Sequence, residues 1–285
     1  MNIDGSNIYV KYHNENNNKQ KILLIHGGPG ESCLSFGYLI KELVRFADVV
    51  EVDQRGCGRS EHIPPEELSI NVIVDDFEKI RNELGIKSWT VLGHSFGGFI
   101  ALYYGNKYPS SIEKIVLENA AINLQESLSC IIHGYYKYFL KNRKFKYIKE
   151  LVKAEISGDT VTMLDAVDTI PTHHKRCFWG NDLMSEPAEE VLNFSELDNE
   201  QKKNCKSFFG AIKYDECLAT DGWELLKTQK CKILFLSGQY DKITNFRIRH
   251  KLTRNKNINF LKIQNAGHYI HLANISKMCS AINDN

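Results

Sequence analysis

The segment Trp89-Thr90-Val91-Leu92-Gly93-His94-Ser95-Phe96-Gly97-Gly98-Phe99-Ile100 decides how this chain is read. The apolar run Trp89–Leu92 predicts a strand, and the run from Phe96 to Tyr108, stopped by Pro109, predicts a helix. Between them, Gly93-His94-Ser95-Phe96-Gly97 fits Gly-x-Ser-x-Gly. Five residues of this kind occur by chance. A strand before and a helix after supply the context that a strained strand-to-helix turn needs. In such a turn the flanking positions must be small, or their side chains collide with strand and helix. The turn lifts the Ser95 hydroxyl above the sheet edge, toward a helix N-terminus whose unpaired amides face a developing negative charge. Ser95 is therefore the expected nucleophile.

The same alternation extends on both sides. Lys21–Ile25, Val49–Val52, Ile112–Leu117, Lys232–Leu236 and Ile258–Ile263 predict strands, and Ile70–Leu84, stopped by Gly85, predicts a helix. Short strands alternating with amphipathic helices predict an α/β class with a mostly parallel central sheet and helices on both faces. Ile8–Tyr12, after an Asp4-Gly5 turn, reads as half of an N-terminal hairpin. Between about 121 and 220 the strand signals fade and helical periodicity takes over. This predicts an inserted helical lid, residues 121–220, on a core made of 1–120 and 221–285.

A serine hydroxyl needs a base, and the base needs an orienting acid. In this architecture the order along the chain is nucleophile, acid, histidine. Asp241 follows the strand ending near Leu236, and His268 follows the last strand. Loops at carboxyl ends of parallel strands face the ligand crevice. Asp241 and His268 are thus the expected acid and base, with His271 a rival base three residues on. The oxyanion of the tetrahedral intermediate needs two amides. Phe96 follows the nucleophile, and Gly28, with Gly27 as the alternative, lies in His26-Gly27-Gly28-Pro29-Gly30 after the first central strand. His26 and His94 read as hydrogen-bonded scaffolding, and Asp53 and Arg55 as ties for a tight glycine loop.

The chain has 285 residues and a formal net charge of +1, so no bulk attraction to nucleic acid or membrane is implied. No apolar stretch approaches the ~18–20 residues of a membrane span. The N-terminus lacks the basic-then-apolar pattern of a secretory signal. Eight cysteines without a Cys-x-x-Cys pair read as free thiols in a reducing compartment. These features predict a soluble cytoplasmic protein acting on a small molecule or short peptide, without a metal or cofactor. The basic run 137–153, interleaved with Tyr135, Tyr136, Tyr138, Phe139, Phe145 and Tyr147, reads as a solvated helix whose aromatics pack on the core. Phe178, Trp179, Phe208 and Phe209 either line an apolar pocket or pack the lid.

With these residues assembled, His26-Gly27-Gly28-Pro29-Gly30 and Asp53-Gln54-Arg55-Gly56-Cys57-Gly58-Arg59-Ser60 resemble the proline iminopeptidase family of the α/β-hydrolase fold. The resemblance covers roughly 1–120 and 221–285. It implies a metal-free serine aminopeptidase that removes an N-terminal residue, often proline, from short peptides. It also implies carboxylates in the lid that bind the substrate's free amino group, loosely aligned here with Asp215 or Glu216. Two departures stand out. The turn reads Gly-His-Ser-Phe-Gly, as in many esterases. Lys242 stands directly after Asp241, where some family members carry an amine-binding Glu. An esterase, lactonase or amidase acting on a small metabolite is therefore the alternative. A ligand-binding protein without turnover is a third reading, from another class. Carboxylate-nucleophile relatives on similar folds are disfavoured, because Ser95 stands at the nucleophile position.

Overall fold

The computed structural model describes residues 1–16, 18–170, 195–244 and 246–284. Its strands are β1 (Asn2–Ile3), β2 (Ser6–Asn7), β3 (Val10–His13), β4 (Gln20–Ile25), β5 (Ala47–Val52), β6 (Trp89–His94), β7 (Ile112–Glu118), β8 (Lys232–Gly238) and β9 (Ile258–Ile263). Seven of them form one sheet in the order β3-β5-β4-β6-β7-β8-β9. β3 is antiparallel to β5 and the rest of the sheet is parallel. The sequence placed Ile8–Tyr12 in a hairpin, and the structure corrects this. The Asp4-Gly5 turn joins only β1 to β2, while β3 pairs with β5 as the sheet edge. Alternation marks a strand but does not name its partner.

The described helices are α1 (Gly37–Leu43), α2 (Ile70–Glu83), α3 (Phe96–Lys107), α4 (Leu124–Lys141), α5 (Ile148–Ser157), α6 (Thr160–Asp168), α7 (Asn199–Ile212), α8 (Gly222–Lys227), α9 (Phe246–Arg254), α10 (Ile270–Ala273) and α11 (Ile275–Asp284). Parallel strands bury both faces, so their side chains divide between two cores. On β4, Leu23 and Ile25 join Phe77 of α2 and Phe99 of α3 in one apolar cluster. Ile22 and Leu24 join Leu39 of α1 and Met278 of α11 in the other. The chain between β7 and β8 contributes α4 to α8 and no strand among the described residues. Ser69 caps α2 by accepting from the Val72 amide, and Asp198 forms a capping box with Gln201 at the start of α7.

Tyr135 and Phe139 are buried and stack at 5.8 Å, and Tyr147 stacks on Phe139 at 4.7 Å, so these aromatics pack inward, whereas Phe145 is 60% exposed and departs from the expectation. Phe208 is buried and Phe209 rests against the loop after β4, near Gly30. Phe178 and Trp179 lie outside the described residues. No described helix is long and apolar enough to cross a membrane.

β5 and β6 lie on opposite sides of β4, so the strand order reverses there. The crevice outside the carboxyl ends of β4 and β6 is the topological switch point, where open α/β sheets bind ligands. His26 and Ser95 open the two loops that border it.

Candidate active site

Ser95 joins β6 to α3 with φ 52° and ψ −117°. A non-glycine residue at positive φ is strained and is kept there only by its surroundings. The surroundings here are tight. A Cβ on Gly93 would strike the Gly97 carbonyl, and one on Gly97 would strike the carbonyls of Ile25 and His26. The glycines therefore let α3 sit directly against β6 and the start of the loop after β4. The Ser95 amide donates to Glu118 O and its carbonyl accepts from Ala121 N, each at 3.0 Å, which pins the turn to the end of β7. Phe96 is the first residue of α3, so its amide has no intrahelical acceptor. Gly28 has φ +111°, and its ideal Cβ would lie 2.5 Å from the Gly30 amide nitrogen and 2.8 Å from that of Glu31. Only glycine fits that bend. The Gly28–Pro29 peptide is cis.

Asp241 and His268 come together although they are 27 residues apart: His268 Nδ1 donates to Asp241 Oδ1 at 2.8 Å. Asp241 Oδ2 accepts from Thr244 N at 2.8 Å and also from the Thr244 hydroxyl. Asp241 is buried. Burial alone would raise its pKa, but His268 and Thr244 reverse this and lower it below the usual carboxylate value. The two loops are stitched together by backbone. Gln239 N donates to Ile263 O and Tyr240 N to Ala266 O, both at 2.9 Å.

Other residues hold this pair in place, and of these Asn119, Tyr269 and Glu31 were not singled out from sequence. Asn119, buried at φ 42°, donates through Nδ2 to Gly267 O at 2.9 Å and His268 O at 2.8 Å. Its Oδ1 accepts from Gly238 N at 2.8 Å. One amide thus holds the ends of β7, β8 and β9 together. The His94 ring lies 4.7 Å from the ring of His268 and 4.7 Å from that of Tyr269. Tyr269 OH donates to Glu31 Oε1 at 2.7 Å, tying the histidine loop to the loop after β4.

His271 is not beside Asp241. It belongs to α10, and its Nδ1 bonds the buried Glu118 carboxylate at 2.7 Å. Glu118 also lies 3.5 Å from His94 Nδ1. Burial opposes its ionisation, but His271 and His94 outweigh it and lower its pKa. His94, Glu118 and His271 gather their ligand atoms within 4.8 Å of one another and are the group of described residues that could hold a metal ion. His271 Nδ1 engages the Glu118 carboxylate, whereas His271 Nε2 and both ring nitrogens of His94 are buried without a hydrogen-bond partner among the described residues, so the expectation of His94 as hydrogen-bonded scaffolding is corrected.

His26 Nε2 accepts from Gln54 N at 3.1 Å, which requires neutral imidazole, and burial lowers its pKa accordingly. Asp53 accepts from Ser32 Oγ and Cys33 N at 2.8 Å and from Arg59 Nε at 2.8 Å. Arg55 forks onto Asp76 of α2, with contacts of 2.7 and 2.5 Å. Burial opposes ionised Asp53, yet Arg59 brings its pKa down from 3.8 to about 2. Because the folded value lies below the unfolded one, this stabilisation is complete above pH 4 and lost as pH falls toward 2. It amounts to about 2 kcal/mol. Acid titration of unfolding should show that loss, and Asp53→Asn should flatten it; an unchanged acid limb in Asp53→Asn would refute this.

The residues expected near a substrate amine are placed as follows. Asp215 Oδ2 accepts from Ile70 N at 2.5 Å, and its Oδ1 accepts from Cys217 N at 2.9 Å. Its carboxylate caps two helix starts. Glu216 is exposed beside it. Lys242 is exposed and lines a cleft of about 1400 Å³ together with Asp241, the cations Lys137, Arg247, Arg249 and Lys251, and the carboxylates Glu126 and Glu155.

Comparison with known proteins agrees with this architecture. Residues 21–274 match the family model for the alpha/beta hydrolase fold. A putative proline iminopeptidase of Mycoplasma genitalium is 33% identical over 156 residues, which is 53% of this chain and 49% of that protein. A proline iminopeptidase of Thermoplasma volcanium is 35% identical over 120 residues, 40% of this chain and 39% of that one. The chain thus spans about half or less of these curated relatives. Among solved structures, a proline iminopeptidase-related protein of Thermus thermophilus superposes with a TM-score of 0.74 at 17% identity, over 100% of this chain and 94% of that one. An esterase of Exiguobacterium antarcticum gives 0.69 at 19% identity, over 99% and 96%. With the family model matched from β4 to beyond the histidine loop, and with the strand order of the sheet to carry it, this chain belongs to the alpha/beta hydrolase fold family.

Proposed function

We propose that this protein is a serine hydrolase that works through an acyl-enzyme, as a proline iminopeptidase-like aminopeptidase on short peptides in the cytoplasm. The observation that carries the reading is the 2.8 Å His268–Asp241 pair beyond β8 and β9, on the same sheet edge as the strained Ser95. In this mechanism Ser95 Oγ attacks the scissile carbonyl while His268 Nε2 takes its proton. Asp241 holds the imidazole with Nδ1–H toward itself and stabilises the imidazolium. The Phe96 and Gly28 amides receive the oxyanion. Collapse expels the amine, which leaves with the proton from His268, and water then repeats the sequence on the acyl-enzyme. Residues 121–220 serve as a cap over a core formed by 1–120 and 221–285. The aminopeptidase part of the reading rests on the relatives' names and on the two loop motifs.

A second reading, an esterase, lactonase or amidase, draws on the cleft beside Asp241. Lys242 and Arg247 are exposed there, and Arg249 Nη2 donates to the Asp241 carbonyl at 3.1 Å. Like charges repel a substrate ammonium and attract a carboxylate. The test is kcat/KM for proline β-naphthylamide, its N-acetylated form and a p-nitrophenyl ester, in wild type and Lys242→Glu. We expect only a weak preference for the free amine in wild type. In Lys242→Glu that preference should rise by roughly three- to tenfold, the size of a solvent-screened charge effect. Turnover of the ester without any of the free-amine substrate, in both proteins, would replace the first reading by the second.

A further inference from the structure

Two thiols meet where the helical stretch touches the core. Cys57 lies in the glycine loop after β5 and is fully buried; Cys205 lies on α7 and is 9% exposed. They are 148 residues apart in sequence, yet their sulfurs are 3.9 Å apart. The contact is held from both sides. Asn204, the neighbour of Cys205, donates to Ser60 O at 3.1 Å and to Gly58 O at 3.3 Å, just after Cys57 in sequence. The Cys205 carbonyl packs directly against Gly30. Cys57 Sγ donates to Glu31 O at 2.8 Å, in the loop after β4.

We propose that Cys57 and Cys205 form a reversible disulfide under oxidising conditions, fastening α7 to the loop after β5. The oxidant class is a hydroperoxide. Cys205 is the less buried of the two thiols. The neighbouring Cys57 sulfur lowers its thiol pKa against the effect of burial, while burial, and then Cys205, raise the pKa of Cys57. The Cys205 thiolate attacks the peroxide oxygen, the O–O bond breaks, and an alcohol or water leaves. The resulting Cys205 sulfenic acid is attacked by the Cys57 thiol; the S–S bond forms, and hydroxide leaves with the thiol proton as water. Two thiols are oxidised by two electrons and one peroxide is reduced. The sulfurs must close from 3.9 Å to about 2.05 Å. Oxidation also removes the Cys57 S–H donor from Glu31 O, so the crosslink reaches the loop that carries Gly28. Cys33 offers no competing pair, because its sulfur lies among Asp53 and Arg59 and its thiol pKa is raised well above the ordinary value, by burial first.

The full-length protein is treated with a small excess of hydrogen peroxide, alkylated and digested. We expect a peptide pair joined through Cys57 and Cys205, released by dithiothreitol. Closing so long a loop should raise Tm by roughly 5–10 °C, reversed by reduction. Cys57→Ser and Cys205→Ser, each of which keeps a small hydrogen-bonding side chain, should fold and show neither the linkage nor the shift. Overturning results are a Cys205 sulfinic acid with Cys57 still alkylatable, a linkage to any other cysteine, or the same Tm shift in both variants. These readouts do not depend on hydrolytic activity, so they stand or fall apart from the proposed function.

Discussion

Replacing Ser95 by alanine is expected to lower kcat/KM for any hydrolysed substrate by 10³-fold or more and to abolish labelling by a fluorophosphonate probe. What remains comes from substrate binding and the oxyanion amides alone. The fold should persist. The positive φ of Ser95 is imposed by the packing of Gly93 and Gly97 and by the amide bonds to Glu118 and Ala121, none of which involves the hydroxyl. A Tm within a few degrees of wild type checks that the loss is chemical. Full labelling of Ser95→Ala would move the nucleophile elsewhere.

Asp241→Asn should be nearly as severe, at 10³- to 10⁴-fold in kcat. The asparagine carbonyl can replace Oδ2 in accepting from Thr244 N, which leaves the amide NH₂ facing His268 Nδ1. An NH₂ there selects the tautomer with Nδ1 unprotonated and a proton already on Nε2, which cannot accept one from Ser95. Because the defect is a tautomer, raising the pH within the neutral range should not restore turnover. Kinetics of both proteins between neutral and mildly alkaline pH test this. A loss below tenfold, or recovery with pH, would remove Asp241 from the proposed role.

The strand-to-helix turn was legible because its glycines meet backbone atoms only a few residues away, or on the neighbouring strand β4. Asp241 and His268 were legible because a polar residue just past a strand's carboxyl end has a known place in a parallel sheet. What sequence did not disclose depends on register between distant strands. His94 faces Glu118 because β6 and β7 pair in that register, and that pairing also sets His271 apart from Asp241. Asn119 looked like any asparagine after a strand; only the neighbours β8 and β9 give it three partners. Asp215 drew attention as an acid near a motif, and its capping of the Cys217 amide two residues on was not read from the sequence. The N-terminal hairpin failed for a related reason: the alternation of β3 carries no information about β5 as its mate.

Asn119 also has a mechanical consequence. It stands four residues before the Asn123 cap of α4, where the chain leaves the sheet for its long helical excursion. Its three hydrogen bonds all lie on the sheet side of that departure, so they anchor the strand end ahead of the excursion. The Asp241–His268 pair is thus tied to the sheet on the near side of the point where the chain departs.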